Sequence, residues 1–320
     1  MRTIPLLISF SLVLPAGAVE KVVGPRTVGP STAGPTVGFV YDANAPAIRP
    51  IRGIPGAAFL DSAIDLGFAV GSASVSPSGD AALAVSADDG TVRLIRFRGR
   101  LPMTVLAGAM TSPDRIVFSP AGSVALLYSA SAARLQVLAG LPSAPAVRDL
   151  PFDGAAPIAV ADDGVAMLMS GSGSAEIRLT DGSAAPPTLA APVMAANFRR
   201  GTHDLVAATE AGDIYVYTDA AGQWSEIRPG DAASQNPVGV QLSADGAMAY
   251  VATAGGTILT IQAATGETNA VVCNCAPSGL GALNAGSVYQ LTGPADPLLW
   301  LFDASQATPR LLFVPRRNSQ

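Results

Sequence analysis

Residues 75–97 read VSPSGDAALAVSADDGTVRLIRF, and this stretch decides the fold. It holds the end of one apolar strand, a turn at SPSG, a second apolar strand, a turn at DDG and a third, alternating strand. The apolar runs last only about four to six residues and are bounded by Gly, Pro, Asp and Ser, which is typical of strands and not of helices. Glycine allows the positive φ that a tight hairpin turn requires. The stretch therefore predicts consecutive antiparallel strands joined by hairpin turns.

The same pattern recurs along nearly the whole chain. One glycine anchors the first turn of each copy, at positions 79, 122, 164, 201, 246 and 286, which gives spacings of 43, 42, 37, 45 and 40 residues. A single copy cannot bury both faces of its apolar second strand, so the copies must stack on one another. Closing the stack into a ring leaves only short, protected strand edges. The sequence therefore predicts an all-β protein with the β-propeller fold. The six copies span 75–97, 117–138, 158–179, 198–217, 240–261 and 283–302.

The number of blades depends on the segment before the first full copy. Residues 37–41 and 47–51 read as two strands, and we interpret them as the third and fourth strands of a blade that lacks its first two. Six full copies and this half-blade predict seven blades with an incomplete first blade. Six blades with an N-terminal extension is the alternative. In either case residues 37–317 form a single β-propeller domain.

Several turns resemble those of a known class of protein. The forms SPSG at 76–79, SPAG at 119–122 and SADG at 243–246 each precede an apolar strand, and DDGT at 88–91 or GGT at 255–257 follows. In these features the chain resembles the WD40-like and YVTN-type secreted β-propellers, over residues 37 to about 315. No copy carries the Gly-His and Trp-Asp pairs of WD40 blades, and none reads YVTN. The resemblance therefore implies the architecture alone, which hosts many unrelated functions.

The N-terminus has the pattern of an export signal. Arg2 supplies a positive charge, residues 4–13 are mostly apolar, and the small residues AGA at 16–18 form a cleavage site. We predict a signal peptide over residues 1–18, a first mature residue Val19, and a Gly/Pro-rich spacer over 19–36. The expected location is secreted or periplasmic. The apolar stretch is too short to span a bilayer and no later segment is long enough, so no transmembrane segment is expected in the mature chain.

Composition limits the classes of partner. The net charge is −5, and the only lysine is Lys21 among 19 basic residues, with no basic block that could neutralise phosphates. Nucleic acid is therefore not an expected partner. Apolar residues make up 49% of the chain and charged residues 13%, which is ample material for a folded core. We expect a monomer.

The two cysteines, Cys273 and Cys275, are separated by one residue. An exported chain meets an oxidising compartment, so we predict a local structural disulfide between them. Two thiols alone lack the further ligands of a zinc site.

No residue is assigned a catalytic role. His203 is the only histidine and belongs to a repeat turn, so we interpret it as a solvated turn residue, like the neighbouring pair Arg199 and Arg200. The segment 171–174 reads GSGS, but it lies between two strands of one blade and is interpreted as a hairpin and not as a nucleophile elbow.

Aspartate is the one residue type that could build a metal site here. Most aspartates occupy repeat turns, where the side chain bonds the local backbone. The remainder lie in segments that link blades, and such segments can converge at one mouth of a propeller channel, where clustered oxygens could bind Ca²⁺. We predict no metal and no cofactor, with Ca²⁺ as the alternative. The candidate ligands for that alternative are Asp65, Asp114, Asp153 and Asp231, together with Asp61 and Asn236.

These observations favour an exported, non-catalytic β-propeller that presents its inter-blade loops to a protein or cell-surface partner. The alternative is a metal-dependent propeller hydrolase of the lactonase or gluconolactonase-like type. A purely structural module of a larger envelope complex is a third interpretation. Convergence of three or more of the candidate ligands on one point would favour the hydrolase.

Overall fold

The computed structural model describes residues 34–98, 103–152, 154–171, 173–189, 191–227, 236–284, 286–294 and 298–317. These residues form 27 strands and no helix, arranged as seven antiparallel sheets. In every sheet the spatial order of the strands follows their order in the chain. The sheets form a ring, so the chain is a seven-bladed β-propeller, and the prediction of seven blades is confirmed.

The strands are numbered in chain order. Blade 1 contains β1 (Thr36–Asp42), β2 (Ala47–Ile54) and β3 (Ala57–Leu60). Blade 2 contains β4 (Val70–Val75), β5 (Ala81–Ser86), β6 (Val92–Arg96) and β7 (Met103–Val105), and blade 3 contains β8 (Arg115–Phe118), β9 (Val124–Ser129), β10 (Arg134–Ala139) and β11 (Ala146–Leu150). Blade 4 contains β12 (Ala156–Val160), β13 (Ala166–Ser170), β14 (Ala175–Leu179) and β15 (Ala184–Leu189), and blade 5 contains β16 (Val193–Phe198), β17 (Leu205–Thr209), β18 (Ile214–Thr218) and β19 (Ser225–Ile227). Blade 6 contains β20 (Pro237–Leu242), β21 (Met248–Thr253), β22 (Thr257–Gln262) and β23 (Thr268–Val272), and blade 7 contains β24 (Gly281–Leu283), β25 (Val288–Gln290), β26 (Leu299–Asp303) and β27 (Arg310–Val314).

The hydrophobic core lies between neighbouring blades. Every residue of the second strands β5 and β17 is buried, as expected for a strand that is covered on both faces. Each core cluster combines residues of two adjacent blades; Leu83 of blade 2, for example, packs with Leu127 of blade 3. Many of these residues are alanines, whose small side chains allow the sheets to approach closely. Burial between blades therefore holds the ring together.

Blade 1 differs from its sequence-based interpretation. The first strands of adjacent blades contact one another around the centre of the ring, and β1 contacts both β4 and β24 in this way. The first strand of blade 1 is therefore β1, and the interpretation of residues 37–51 as a third and fourth strand is wrong. The blade is incomplete, as predicted, but the strand it lacks is the outermost one. Sequence pattern could not distinguish these cases, because the inner and outer strands of this chain have similar lengths and composition.

The end of the described chain fills part of the missing position. Pro315–Arg317 pairs in parallel with Leu60, whose N–H donates to the Pro315 carbonyl at 2.9 Å and whose carbonyl accepts from the Arg317 N–H at 3.0 Å. Arg317 also lies 3.6 Å from the Asp61 carboxylate and above the ring of Phe59. We call these contacts the closure contact, since they join the last blade to the first.

The predictions for the N-terminus fall largely outside the described residues. The predicted signal peptide over 1–18 and the spacer up to residue 33 are not covered, and β1 begins at Thr36. Across the described ranges, no helix is long and apolar enough to cross a membrane.

Candidate functional site

The turns that join the first and second strands of each blade lie on one face of the ring, because each blade is an antiparallel meander with its first strand innermost. We call this the first-turn face. In four of these turns a glycine N–H donates to the carbonyl three residues earlier, and the glycine has a φ between +68° and +74°. The glycine of the sequence repeat is therefore required because the turn needs a positive φ at that position. The four glycines are Gly79, Gly122, Gly164 and Gly246.

The corresponding turn of blade 7 is built differently. The N–H of Gly286 donates to the Leu283 carbonyl, but the residue with positive φ is Asn284, at +54°. Asparagine is one of the few residues besides glycine that tolerates this region. The repeat pattern identifies the turn correctly and its left-handed residue incorrectly.

Side chains of the first-turn face link the blades to one another. The Asp162 carboxylate in blade 4 accepts the Ala121 N–H of blade 3 at 2.6 Å through Oδ1 and the Gly201 N–H of blade 5 at 2.7 Å through Oδ2. The Ser123 hydroxyl donates to the Asp162 carbonyl at 2.8 Å. One aspartate thus connects three consecutive blades, whereas sequence reasoning assigns it only the role of a turn former.

His203 lies in a groove between blades 4 and 5. Its Nε2 is 2.9 Å from Asp163 Oδ2 in blade 4, and its Nδ1 is 3.6 Å from Asp219 Oδ1 in blade 5. The side chain is 27% exposed, whereas the two carboxylates are about half exposed. His203 is therefore a partly exposed turn residue with two acidic partners, a contact between blades that the interpretation as a solvated turn residue does not include.

The rest of this groove is also acidic. It has a volume of about 600 Å³, and we call it the acidic groove. Arg199 forms an ion pair of 2.7 Å with Asp204, and Asp204 accepts the Asp219 N–H at 3.0 Å. Arg199 is only 24% exposed, whereas Arg200 is exposed, so the interpretation as a solvated pair holds for Arg200 alone. Four carboxylates thus surround one arginine and one histidine, an arrangement that favours cationic and hydrogen-bond-donating ligands. The lining residues are Asp162, Asp163, Arg199, Gly201, Thr202, His203, Asp204 and Asp219.

A second groove opens on the same face between blades 6 and 7. Its volume is about 650 Å³, and we call it the 6–7 groove. Its described lining residues include the Asp245 carboxylate, the Tyr250 side chain and several alanines, but no arginine, lysine or histidine. Both of these grooves are therefore lined by carboxylate, and among their described lining residues only the 6–7 groove adds apolar side chains such as Met248 and Val271.

The aspartates predicted as metal ligands form separate local contacts. Asp61 lies near Arg52 and Arg317, at 3.7 and 3.6 Å, and Asp65 accepts the N–H of Gly67. Asp114 accepts the N–H of Ala130 at 2.7 Å.

Of the other predicted ligands, only Asn236 lies among the described residues. The carbonyl of Asn236 accepts the Ala254 N–H at 3.0 Å, while Asp153 and Asp231 fall outside the described residues. Among the residues that the structure describes, no group of three His, Cys, Asp or Glu could hold a metal ion. The structure therefore does not bring Asp61, Asp65 and Asp114 together.

A disulfide bond joins Cys273 and Cys275 at the end of β23. The Cys273 N–H donates to the Gly256 carbonyl at 2.7 Å, so the β21–β22 turn packs directly on this loop. Cys273 is buried and belongs to the core cluster shared by blades 6 and 7.

Sequence reasoning misses the acidic groove for an identifiable reason. Asp163 and His203 are 40 residues apart, which is one repeat length. Residues at similar positions in consecutive repeats become neighbours when the blades stack, and an alignment of the copies on Gly164 and Gly201 places these two only three positions apart. Within a single turn, the local bonding role of each aspartate is already a sufficient explanation for it.

Comparison with known proteins supports the fold and no more. No family model matches this chain, and no curated protein matches it. The solved structure of KlHsv2 with loop 6CD replaced by a Gly-Ser linker is similar with a TM-score of 0.56 and 11% identity, covering 88% of this chain and 98% of that one. The β-propeller domain of Myceliophteria thermophila Cps50 (Swd1) has a TM-score of 0.49 and 14% identity, covering 63% of this chain and 71% of that one. At the identity seen with KlHsv2, the likeness shows that the two chains share a propeller fold.

Proposed function

We propose that this chain is an exported, non-catalytic β-propeller that binds a protein or cell-surface partner through its first-turn face. The observation that carries this proposal is the acidic groove, where exposed carboxylates of two blades are held in place by contacts between turns. Turns on a rigid scaffold are well suited to recognition, because the blades fix the positions of the side chains before a partner arrives. The partner that complements this surface is basic.

We test recognition with two double variants, one that neutralises two carboxylates of the acidic groove and one that neutralises two carboxylates of the opposite face. Asp163 and Asp219 line the acidic groove, while Asp88 and Asp213 are exposed residues of the turns between second and third strands, on the opposite face. The double variants Asp163→Asn/Asp219→Asn and Asp88→Asn/Asp213→Asn therefore carry the same change of charge. Each is immobilised and exposed to a cell-envelope extract.

We expect the wild type and the opposite-face variant to retain a stoichiometric partner that the groove variant loses. A partner retained equally by all three proteins would show that binding does not use the acidic groove. Loss from both variants would show that net charge alone governs the association.

Export is tested separately. The full chain is expressed in a bacterial host, and the protein recovered from the periplasm or the medium is analysed by intact-mass spectrometry. We expect a chain that begins at Val19. A protein that keeps residues 1–18 and stays in the cytoplasm would contradict the export part of the proposal.

The alternative hydrolase function makes its own measurable prediction. A metal that binds only the folded state must raise the midpoint of thermal unfolding. We expect the midpoint to be unchanged by millimolar Ca²⁺ and by a chelator. A rise with Ca²⁺ that the chelator reverses would favour the metal-dependent enzyme.

A further inference from the structure

The 6–7 groove has the size of a small-ligand site. Its volume of about 650 Å³ falls within the range of roughly 300–1,000 Å³ that is usual for small-ligand pockets. One wall is the face of blade 6 and the other is formed by Ser287 and the β26–β27 turn of blade 7. Apolar side chains, among them Met248, Val271 and Pro309, lie along the walls beside polar groups.

The polar groups on the blade 6 wall form a row across the sheet. Tyr250 of β21 is directly opposite Thr260 of β22, and Thr260 is directly opposite Asn269 of β23. Side chains at paired positions of an antiparallel sheet point to the same face, so these three residues face blade 7 together. Along this row, the surface of blade 6 that faces blade 7 carries hydroxyl and amide groups. Elsewhere between the blades this surface is apolar and buried.

Tyr250 supplies an unpaired hydroxyl to the groove. The residue is only 5% exposed, and its ring packs against Tyr289 and Phe302 at centroid distances of 5.6 and 5.4 Å. Its hydroxyl makes no hydrogen bond with any residue that the structure describes. Burial, and then the charge of Asp245, raises the pKa of this phenol, so it remains a hydrogen-bond donor.

Among the described residues that line the groove, Asp245 is the only charged one. Its Oδ1 accepts the Ser243 hydroxyl at 2.6 Å and the Ala247 N–H at 3.0 Å, and these bonds, with a smaller contribution from the charge of Arg199, hold the pKa of the carboxyl below its usual range. The carboxylate is therefore ionised at neutral pH. Its second oxygen makes no hydrogen bond with the described part of the chain. Because none of its described lining residues is basic, the groove disfavours phosphates and carboxylates and complements a cation.

We propose that the 6–7 groove binds a peptide segment that places a lysine or arginine side chain beside Asp245 and an apolar side chain against Met248 and Val271. The groove contains both kinds of surface side by side, whereas a free inorganic cation would leave the apolar wall unused. The Tyr250 hydroxyl and the Asn269 amide then pair with peptide backbone groups. This inference rests on the proposed recognition function and assigns one site of it a ligand class.

The test uses three capped peptides with the same apolar flanks, acetyl-Val-Lys-Val-amide, acetyl-Val-norleucine-Val-amide and acetyl-Val-Glu-Val-amide. Binding to the folded chain is followed by two-dimensional NMR titration, and the shifted signals identify the site. We expect the lysine peptide to bind at least about tenfold more tightly than the glutamate peptide, with shifts at Tyr250 and Asn269. Equal affinities, or shifts elsewhere on the ring, would overturn the proposal.

Two single variants separate the charge from the hydroxyl. In Asp245→Asn we expect the preference for lysine over norleucine to disappear, while Asp181→Asn, a matched turn carboxylate that does not line the groove, keeps it. In Tyr250→Phe we expect a loss of about three- to tenfold in affinity with an unchanged thermal midpoint, because the hydroxyl has no partner in the described chain to lose. If Asp245→Asn keeps the preference for lysine and Tyr250→Phe keeps the affinity for the lysine peptide, the assignment is wrong.

The peptide experiment can fail independently of the proposed function. If the peptides do not bind but the envelope partner is lost in the Asp163/Asp219 variant, recognition uses the acidic groove alone and the 6–7 assignment is wrong. If the lysine peptide binds but no envelope partner is retained, the peptide site stands and the broader proposal does not.

Discussion

At the scale of single residues, Gly256 shows how closely two turns can approach. It lies in the β21–β22 turn with a φ of +86°, and a Cβ at this position would be 2.6 Å from the Cys273 carbonyl oxygen and 2.7 Å from that of Cys275. Gly56, in the β2–β3 turn, has nearly the same φ of +88°, but a Cβ there would meet nothing within 4 Å. Both glycines need a positive φ, but only Gly256 is also crowded by neighbouring atoms. Comparing the two therefore distinguishes the cost of the backbone conformation from the cost of a steric clash.

We therefore predict unequal effects for the same substitution. Gly56→Ala should lower the free energy of unfolding by about 1–2 kcal/mol, the usual cost of a left-handed non-glycine residue. Gly256→Ala should lower the free energy of unfolding by about 3 kcal/mol or more, because the loop closed by the Cys273–Cys275 disulfide must also move. Urea unfolding measures both. Equal losses would mean that the turn and the loop separate easily.

Asp303 is a buried carboxylate with a pH-dependent role. Its side chain is fully buried; burial favours the neutral form, but hydrogen bonds from Ser305 and Arg310 outweigh it and hold the pKa below the ordinary value of 3.8. Because the pKa is lower in the folded chain than in the unfolded chain, ionised Asp303 stabilises the fold above the unfolded pKa. That contribution is lost as the pH falls through the folded pKa.

The variant Asp303→Asn tests this linkage. We expect it to be less stable than the wild type by about 1–2 kcal/mol near neutral pH. The difference should shrink as the pH falls below about 4. Asp149→Asn is the control, since Asp149 also pairs with an arginine and has a lowered pKa but is exposed, and its effect should be much smaller. A difference for Asp303→Asn that does not change with pH would contradict the assignment.

At the scale of elements, the same buried ion pair between an aspartate and an arginine occurs in a hairpin of blade 1 and in a hairpin of blade 7, the two blades that the closure contact joins. Asp42 at the end of β1 pairs with Arg49 of β2 at 3.1 Å, and Asp303 at the end of β26 pairs with Arg310 of β27 at 2.9 Å. In each hairpin the aspartate is buried and also accepts N–H groups of its own turn. A buried carboxylate is stable here because the turn and the next strand satisfy both of its oxygens.

Asp162 joins turns of three different blades. Replacing it with alanine removes two charge-assisted hydrogen bonds, to the Ala121 and Gly201 N–H groups, and we expect a loss of about 2–4 kcal/mol in the free energy of unfolding. Asp163→Ala changes the adjacent residue, whose carboxylate is half exposed, and should have a far smaller effect. Chemical denaturation compares the two variants. Similar stabilities of the two variants would show that the hydrogen bonds of Asp162 contribute little to the stability of the ring.

At the scale of the whole molecule, a ring of blades depends on how its ends meet. Blade 1 comes entirely from the N-terminal part of the described chain, and Pro315–Arg317 reaches it from blade 7 through backbone hydrogen bonds. The apolar cluster shared by blades 1 and 7, which includes Ile51, Leu60 and Leu301, lies beneath this contact. Closure therefore combines a buried interface with a short parallel pairing.

Shortening the chain measures the closure contact. Ending the chain at Val314 removes both backbone hydrogen bonds to Leu60 and the Arg317 contacts, and should cost about 2–4 kcal/mol in the free energy of unfolding. A chain that ends at Arg317 keeps these contacts and should match the full chain. Thermal and urea unfolding provide the measurement. Equal stability of the two shortened chains would mean that the interface between blades 1 and 7 closes the ring unaided.

The sequence by itself determined the first three strands of each full repeat, their turns, the repeat and hence the propeller, because apolar runs of strand length and glycines with positive φ are local properties. It also indicated an incomplete first blade. Only the tertiary structure showed that β1 is the innermost strand, because that depends on which neighbours the strand contacts. The same holds for the contact of His203 with Asp163, the bridging by Asp162 and the pairing of Arg317 with Leu60. These groups lie one repeat or nearly the whole chain apart, and only stacking of the blades and closure of the ring bring them together.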